Sequence, residues 1–114
     1  MNFKSASRKI EQAIRKGVVL ELIYRIDDGS KFYFVAAPVC IRENNGRQYL
    51  MALDHKDWAI AFDIARISAM SEYWATFSID AEFNVELFAD KVFSEGNYQD
   101  GYISMQPPCP VEVK

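Results

Sequence analysis

The one histidine of the chain, His55, stands between Asp54 and Asp57, and an imidazole flanked by carboxylates is the raw material of a general base. An exposed turn accounts for the same residues without chemistry, because HKD separates two strand-like runs and Asp favours turns. Asp27 and Asp28 form a second carboxylate pair, but Gly29 and Ser30 follow directly and hairpin-turn geometry explains them. Cys40 and Cys109 lie 69 residues apart, and with a single imidazole they cannot supply the closely spaced ligands of a structural zinc site. Cys40 falls in an apolar run and reads as a buried, inert thiol; Cys109, within PPCP, reads as an exposed tail residue. A Gly-rich phosphate loop, a nucleophile elbow and HExxH are all missing. No catalytic residue, metal or cofactor is expected, and the chain does not read as an enzyme.

The aromatic residues suggest binding instead. Tyr24, Phe32, Phe34, Tyr49, Trp58 and Phe62 all fall on strand-like runs, and a small β domain cannot bury every one of them. Rings left at a surface stack on nucleobases when basic side chains nearby hold the phosphates. The charge is uneven: residues 1–25 carry a net +4, residues 26–70 a net −1 and residues 71–114 a net −6, for a total of −3. A total of this sign argues against tight nonspecific binding to nucleic acid, while the basic start and acidic end can pair within one molecule or between protomers.

These residues must be positioned by a small set of elements. Ala6, Ile10, Ala13 and Ile14 recur at helical spacing and Gly17 follows where a helix would stop, which predicts an amphipathic helix over 5–16. From Val18 the period becomes two, with Val18, Leu20, Leu22 and Tyr24 on one side. The DDGS turn then leads into KFYFV and a second strand that runs to Ile41, where Pro38 should bend it or place it at an edge. Asn45-Gly46 makes the next tight turn. RQYLMALD alternates, WAIAFD puts Trp58, Ile60 and Phe62 on one face, and a last strand spans about 65–73. Asn84 caps a helix whose Val85, Phe88, Ala89 and Val92 share a face, with Gly96 at its end. The remainder, GNYQDGYISMQPPCPVEVK, shows turn formers without a period and reads as an irregular tail.

The fold expected is thus mainly β: a five-stranded small barrel of SH3/Sm type, with an N-terminal helix and a C-terminal helix plus irregular tail. Residues 1–17 hold the first helix, 18–75 the barrel, and 76–114 a linker, a short helix over about 84–95 and the tail. At 114 residues one domain with one core fits. Half the residues are apolar and a quarter charged, an ordinary globular balance. No apolar run approaches the ~20 residues of a membrane helix, and MNFKSASRKIEQ lacks the apolar stretch of a secretory signal. A cytoplasmic location without membrane attachment is expected.

The ordered set of AIRKG ending a helix, VLELIYR, a DG turn, a proline late in the second strand, GRQYLMALD and AFDIARI resembles the WYL domain family over about residues 9–73. FNVELFADKVFSEG resembles the segment that follows in those proteins and extends the likeness to about residue 96. The resemblance implies a five-stranded barrel of the kind found mostly in bacterial regulators, commonly behind a helix-turn-helix; this chain reads as a copy without one. It also implies a ligand-sensing role, with a nucleotide or single-stranded nucleic acid on a patch of aromatic and basic side chains. Tyr24 matches the tyrosine ending the first strand, Tyr49 and Leu50 the second and third letters of the signature, and Arg66 the arginine before the final isoleucine. Gln48 stands where the signature tryptophan is expected, and Phe34 and Ile60 stand where arginines are usual.

Two readings follow. In the first, the chain is a regulatory, non-catalytic sensor whose ligand-binding residues are Tyr24, Arg47, Tyr49, His55 and Arg66. In the second, the apolar replacements Phe34 and Ile60, together with Phe88 on the C-terminal helix, form an interface with a protein partner or a second copy, since loss of charge at the centre of a patch suits burial. A homo-oligomer is the expected state.

Overall fold

A computed structural model describes residues 2–107. Helix α1 (Phe3–Lys16) starts earlier than expected because the Asn2 side chain accepts from the Ser5 amide at 2.9 Å and caps it. It ends at Gly17, whose left-handed backbone (φ 70°) turns the chain into the sheet. Ala6, Ile10 and Ala13 form its buried stripe.

The strands are β1 (Val18–Arg25), β2 (Lys31–Asn44), β3 (Arg47–Asp54), β4 (Ala59–Asp63) and β5 (Ile67–Thr76), with a 3₁₀ turn at Ile64–Arg66 before β5. After helix α2 (Val85–Glu95) come β6 (Asn97–Gln99) and β7 (Tyr102–Met105). All seven strands form one antiparallel sheet in the order β5-β1-β2-β3-β4-β7-β6.

The architecture is mainly β, and it corrects the expectation in two respects. The order is linear, with β5 and β6 at its ends, so the sheet is open rather than a closed five-stranded barrel. The segment expected to be irregular supplies two of the strands. Asp100 and Gly101, both at positive φ (55° and 106°), make the two-residue turn that favours a hairpin, and β7 then pairs with β4. The Cys109 expectation lies outside the described residues.

Pro38 acts as anticipated. The β1–β2 ladder ends at Leu20 opposite Ala36, and the β2–β3 ladder shifts register between Pro38 and Cys40. The proline therefore sits where β2 leaves one neighbour for the other, and its missing amide costs the β1 ladder nothing.

Each face of the sheet is covered by one helix. On one face the α1 stripe joins one core with Leu20, Leu22, Tyr24, Leu50, Ile60 and Phe62. On the other, Phe88, Ala89 and Val92 of α2 pack onto Val39, Cys40, Met51, Ala59 and Ala61. Strand β4 lies between the two and is buried at all five positions, which is why WAIAFD does not behave as a half-exposed strand; Trp58 lies just outside it and is half-buried. Cys40 is buried and free, and burial pushes its thiol up, in keeping with an inert packing role.

The second core explains Phe88, which is fully buried against the sheet, whereas its neighbour Leu87 is 42% exposed. Phe88→Ala should lower stability by about 3–5 kcal/mol, read as a lower urea midpoint at unchanged slope. Leu87→Ala should stay within about 0.5 kcal/mol.

Candidate functional site

Arg47 and Tyr49 open β3, and Tyr49 faces Asp63 across the β3–β4 ladder. Arg66 ends the 3₁₀ turn that follows β4. The β6–β7 hairpin brings Tyr98 and Gly101 over them, and these six residues line one depression of about 200 Å³. Three of the expected ligand residues, Arg47, Tyr49 and Arg66, are thus brought together.

Both arginines are already paired. Arg47 Nη1 lies 2.8 Å from Asp63 Oδ2, an ion pair in which the arginine side chain is 62% exposed and the aspartate 6%. The second Asp63 oxygen accepts from the Ala65 amide at 3.0 Å and fixes the carboxylate at the start of the 3₁₀ turn. Arg66 Nη2 lies 2.8 Å from Asp27 Oδ1, and its Nη1 donates to the Arg25 carbonyl at 3.2 Å. The Tyr98 hydroxyl donates to the same Asp27 carboxylate, at 3.0 Å to Oδ2. Tyr49 lines the depression while its ring meets Phe93 of α2 edge-on, with centroids 5.2 Å apart.

Tyr24 is not at this surface. It is fully buried beneath the depression, where its hydroxyl donates to the Gly101 carbonyl at 2.6 Å and accepts from the Asp63 amide at 2.9 Å. Burial holds its phenol well above the ordinary tyrosine value, so it stays protonated and serves as a fixed donor. Its role is to position the residues that line the depression.

His55 belongs elsewhere. It is exposed in the β3–β4 turn and borders a separate apolar groove of about 430 Å³ with Leu53 and Tyr73. Asp54 accepts there from the amides of Lys56 (2.8 Å) and Trp58 (2.9 Å), which is turn chemistry rather than a general-base array.

The expected interface residues are interior. Ile60 is 4% exposed and Phe88 fully buried, while the half-buried Phe34 packs against Tyr24, Phe62 and Tyr102 with centroids 5.0–6.1 Å apart. Apolar side chains at these positions fill the two cores, so they do not form an exposed patch.

Asp27, Asp63, Tyr98 and Gly101 were missed by the sequence reading. Asp27 looked like turn chemistry, but only Asp28 plays that part, accepting from the Ser30 amide at 2.8 Å. The QDGY run around Gly101 did carry a hairpin signal. Among the described residues no group of three or more His, Cys, Asp and Glu is placed to hold a metal ion. No helix there is long and apolar enough to cross a membrane.

Tyr24→Phe keeps the ring and leaves the Asp63 amide and Gly101 carbonyl without their partner. The expected loss is about 1–3 kcal/mol by chemical denaturation. An unfolded tyrosine ionises near 10.0 whereas the buried phenol resists. Its contribution is therefore full below that pH and falls as pH rises above it, so Tyr24→Phe should flatten the alkaline loss of stability.

The comparisons with known proteins agree with this architecture. No curated protein matches the chain. The solved structure of proteasome accessory factor B/C (PafBC) of Arthrobacter aurescens is similar in fold, with a TM-score of 0.60 at 20% identity. The match covers 89% of this chain and 20% of that one, so the chain spans about a fifth of that protein's length. A family model of the WYL domain matches residues 5–72, from α1 through the first half of β5. With more than half of its length matched, this chain belongs to the WYL domain family.

Proposed function

We propose that this WYL domain is a non-catalytic regulatory module that senses a nucleotide-sized anion at the Arg47, Tyr49 and Arg66 depression. The observation that carries this reading is the convergence of two guanidinium groups and two tyrosines, Tyr49 and Tyr98, on one depression of about 200 Å³. Guanidinium forks suit phosphate, and tyrosine rings suit a base or sugar face. Arg47 is the more exposed of the two guanidinium groups, 62% against 24% for Arg66, and so the more accessible to an incoming anion.

The electrostatics select a short ligand. Asp63 and Asp27 offset the two arginines locally, and the chain as a whole carries −3. A long strand of nucleic acid needs a track of unpaired cations to release its counterions, and this depression offers a single point of capture. A mononucleotide, whose phosphate enters the depression while the rest lies along its rim, suits it better than an extended single strand.

A second reading, as a protein-interaction or homo-oligomerising module, is favoured by Trp74 and Tyr33, which are 85% and 57% exposed on β5 and β2. Large aromatic side chains standing in solvent are typical anchors of protein interfaces.

Calorimetric titration with mononucleotides, and with single-stranded DNA and RNA 12-mers at two salt concentrations, tests the first reading. Nucleotides should bind saturably, Arg66→Ala should weaken them at least tenfold, and the 12-mers should bind no tighter per site. Folded protein that takes up no nucleotide, but whose mass in solution doubles in a Trp74-dependent way, would favour the second reading.

A further inference from the structure

The tip of the β6–β7 hairpin is tied to the site by more bonds than its own ladder requires. Asp100 accepts at its carbonyl from the Asp27 amide at 3.0 Å, Tyr98 donates to the Asp27 carboxylate, and Gly101 accepts from Tyr24. Gly101 also lies directly against Arg66: a side chain there would meet Arg66 Nη1 at 2.7 Å, and φ of +106° disfavours any other residue. Two of these ties run through one residue, Asp27, which also holds the Arg66 guanidinium.

The two strands of the hairpin differ. Strand β7 is anchored by its ladder to β4 and by Ile103 in the second core. Strand β6 is the sheet's outer edge, three residues long and exposed throughout. Short, exposed edges bonded on one side open locally at low cost.

We infer that the Asp27 carboxylate is a built-in occupant of the anion position at Arg66 and that it latches Tyr98, and with it the β6 strand, over the depression, so that an anion displacing the carboxylate also releases Tyr98. This rests on the sensing reading of the same depression and names its regulation. A phosphate oxygen replaces the carboxylate on the guanidinium. Asp27 then no longer holds Tyr98 in place, and ligand binding is read out as exposure of the β6 edge. Apparent affinity is scaled down by the fraction of molecules in which the carboxylate has left Arg66.

The test is hydrogen exchange followed by mass spectrometry, on peptides covering 24–30 and 97–102, with calorimetric titration of inorganic pyrophosphate. Wild type is compared with Asp27→Asn and with Tyr98→Phe, which leaves Arg66 paired. In the unliganded protein Asp27→Asn should exchange both segments at least tenfold faster, with α1 unchanged as the control for folding. Tyr98→Phe should accelerate 97–102 alone. Pyrophosphate should bind Asp27→Asn at least tenfold more tightly than wild type and should accelerate exchange of 97–102 in wild type.

Unchanged exchange in Asp27→Asn overturns the latch even if anions bind. Faster exchange with equal pyrophosphate affinity in the two proteins overturns the competitor role of Asp27. Faster exchange with neither pyrophosphate nor mononucleotide bound by either protein sinks the sensing reading itself, and this proposal with it.

Discussion

The buried hydroxyl of Tyr24 joins parts of the chain that are otherwise far apart. It satisfies the amide of Asp63, 39 residues on, and the carbonyl of Gly101, 77 residues on. In a low-dielectric interior such a pair of bonds is strong when made and costly when one partner is missing. Asp63 in turn fixes the 3₁₀ turn and Arg47, and Gly101 sets the hairpin tip against Arg66. The arrangement at the surface is therefore inherited from one phenol in the core. Its upward-shifted ionisation keeps that donor in place over the whole ordinary pH range.

The aromatic packing around it gives Phe34 its place. Tyr24 and Phe34 each meet Phe62 and Tyr102, and one another, edge-on, and Tyr102 is the first residue of β7. Where the WYL resemblance leads one to expect an arginine, this chain carries a ring that docks its own C-terminal hairpin. The ring gives the hairpin a hydrophobic seat through its contact with Tyr102. Ile60, two strands over on β4, is likewise apolar and interior, buried at 4% exposure among the α1-side core.

Local chemistry made much of the fold legible. The helix stripe of Ala6, Ile10 and Ala13, the turns at Gly29 and Gly46, and the bend at Pro38 each follow from a period or a backbone constraint. Strand β4 was harder, because burial on both faces erases alternation and the signal depends on a second core supplied by α2. The hairpin was overlooked because β6 and β7 have only three and four residues, too few to show a period, although Asp100-Gly101 marks the turn. At the site, Tyr49 and Arg66 were legible from the family resemblance, and Arg47 as a cation two residues before Tyr49. Their partners were not, because Asp27 and Asp63 come from a turn and a strand end whose proximity is a tertiary fact. Tyr24 and His55 illustrate the converse. Residue type nominated both, and burial places one beneath the site while topology places the other on a different groove.

The central claim is that Arg47 and Arg66 act together as an anion-capturing pair whose present partners are the protein's own carboxylates. Arginine side-chain NMR tests it most directly, by following the Nε–H resonances of both residues and the ring protons of His55 and Trp74 during titration with a mononucleotide. The account predicts saturable shifts with one common affinity at Arg47 and Arg66, and none at His55 or Trp74. Shifts confined to His55 and Trp74, or none at either arginine with nucleotide in large excess, would contradict it.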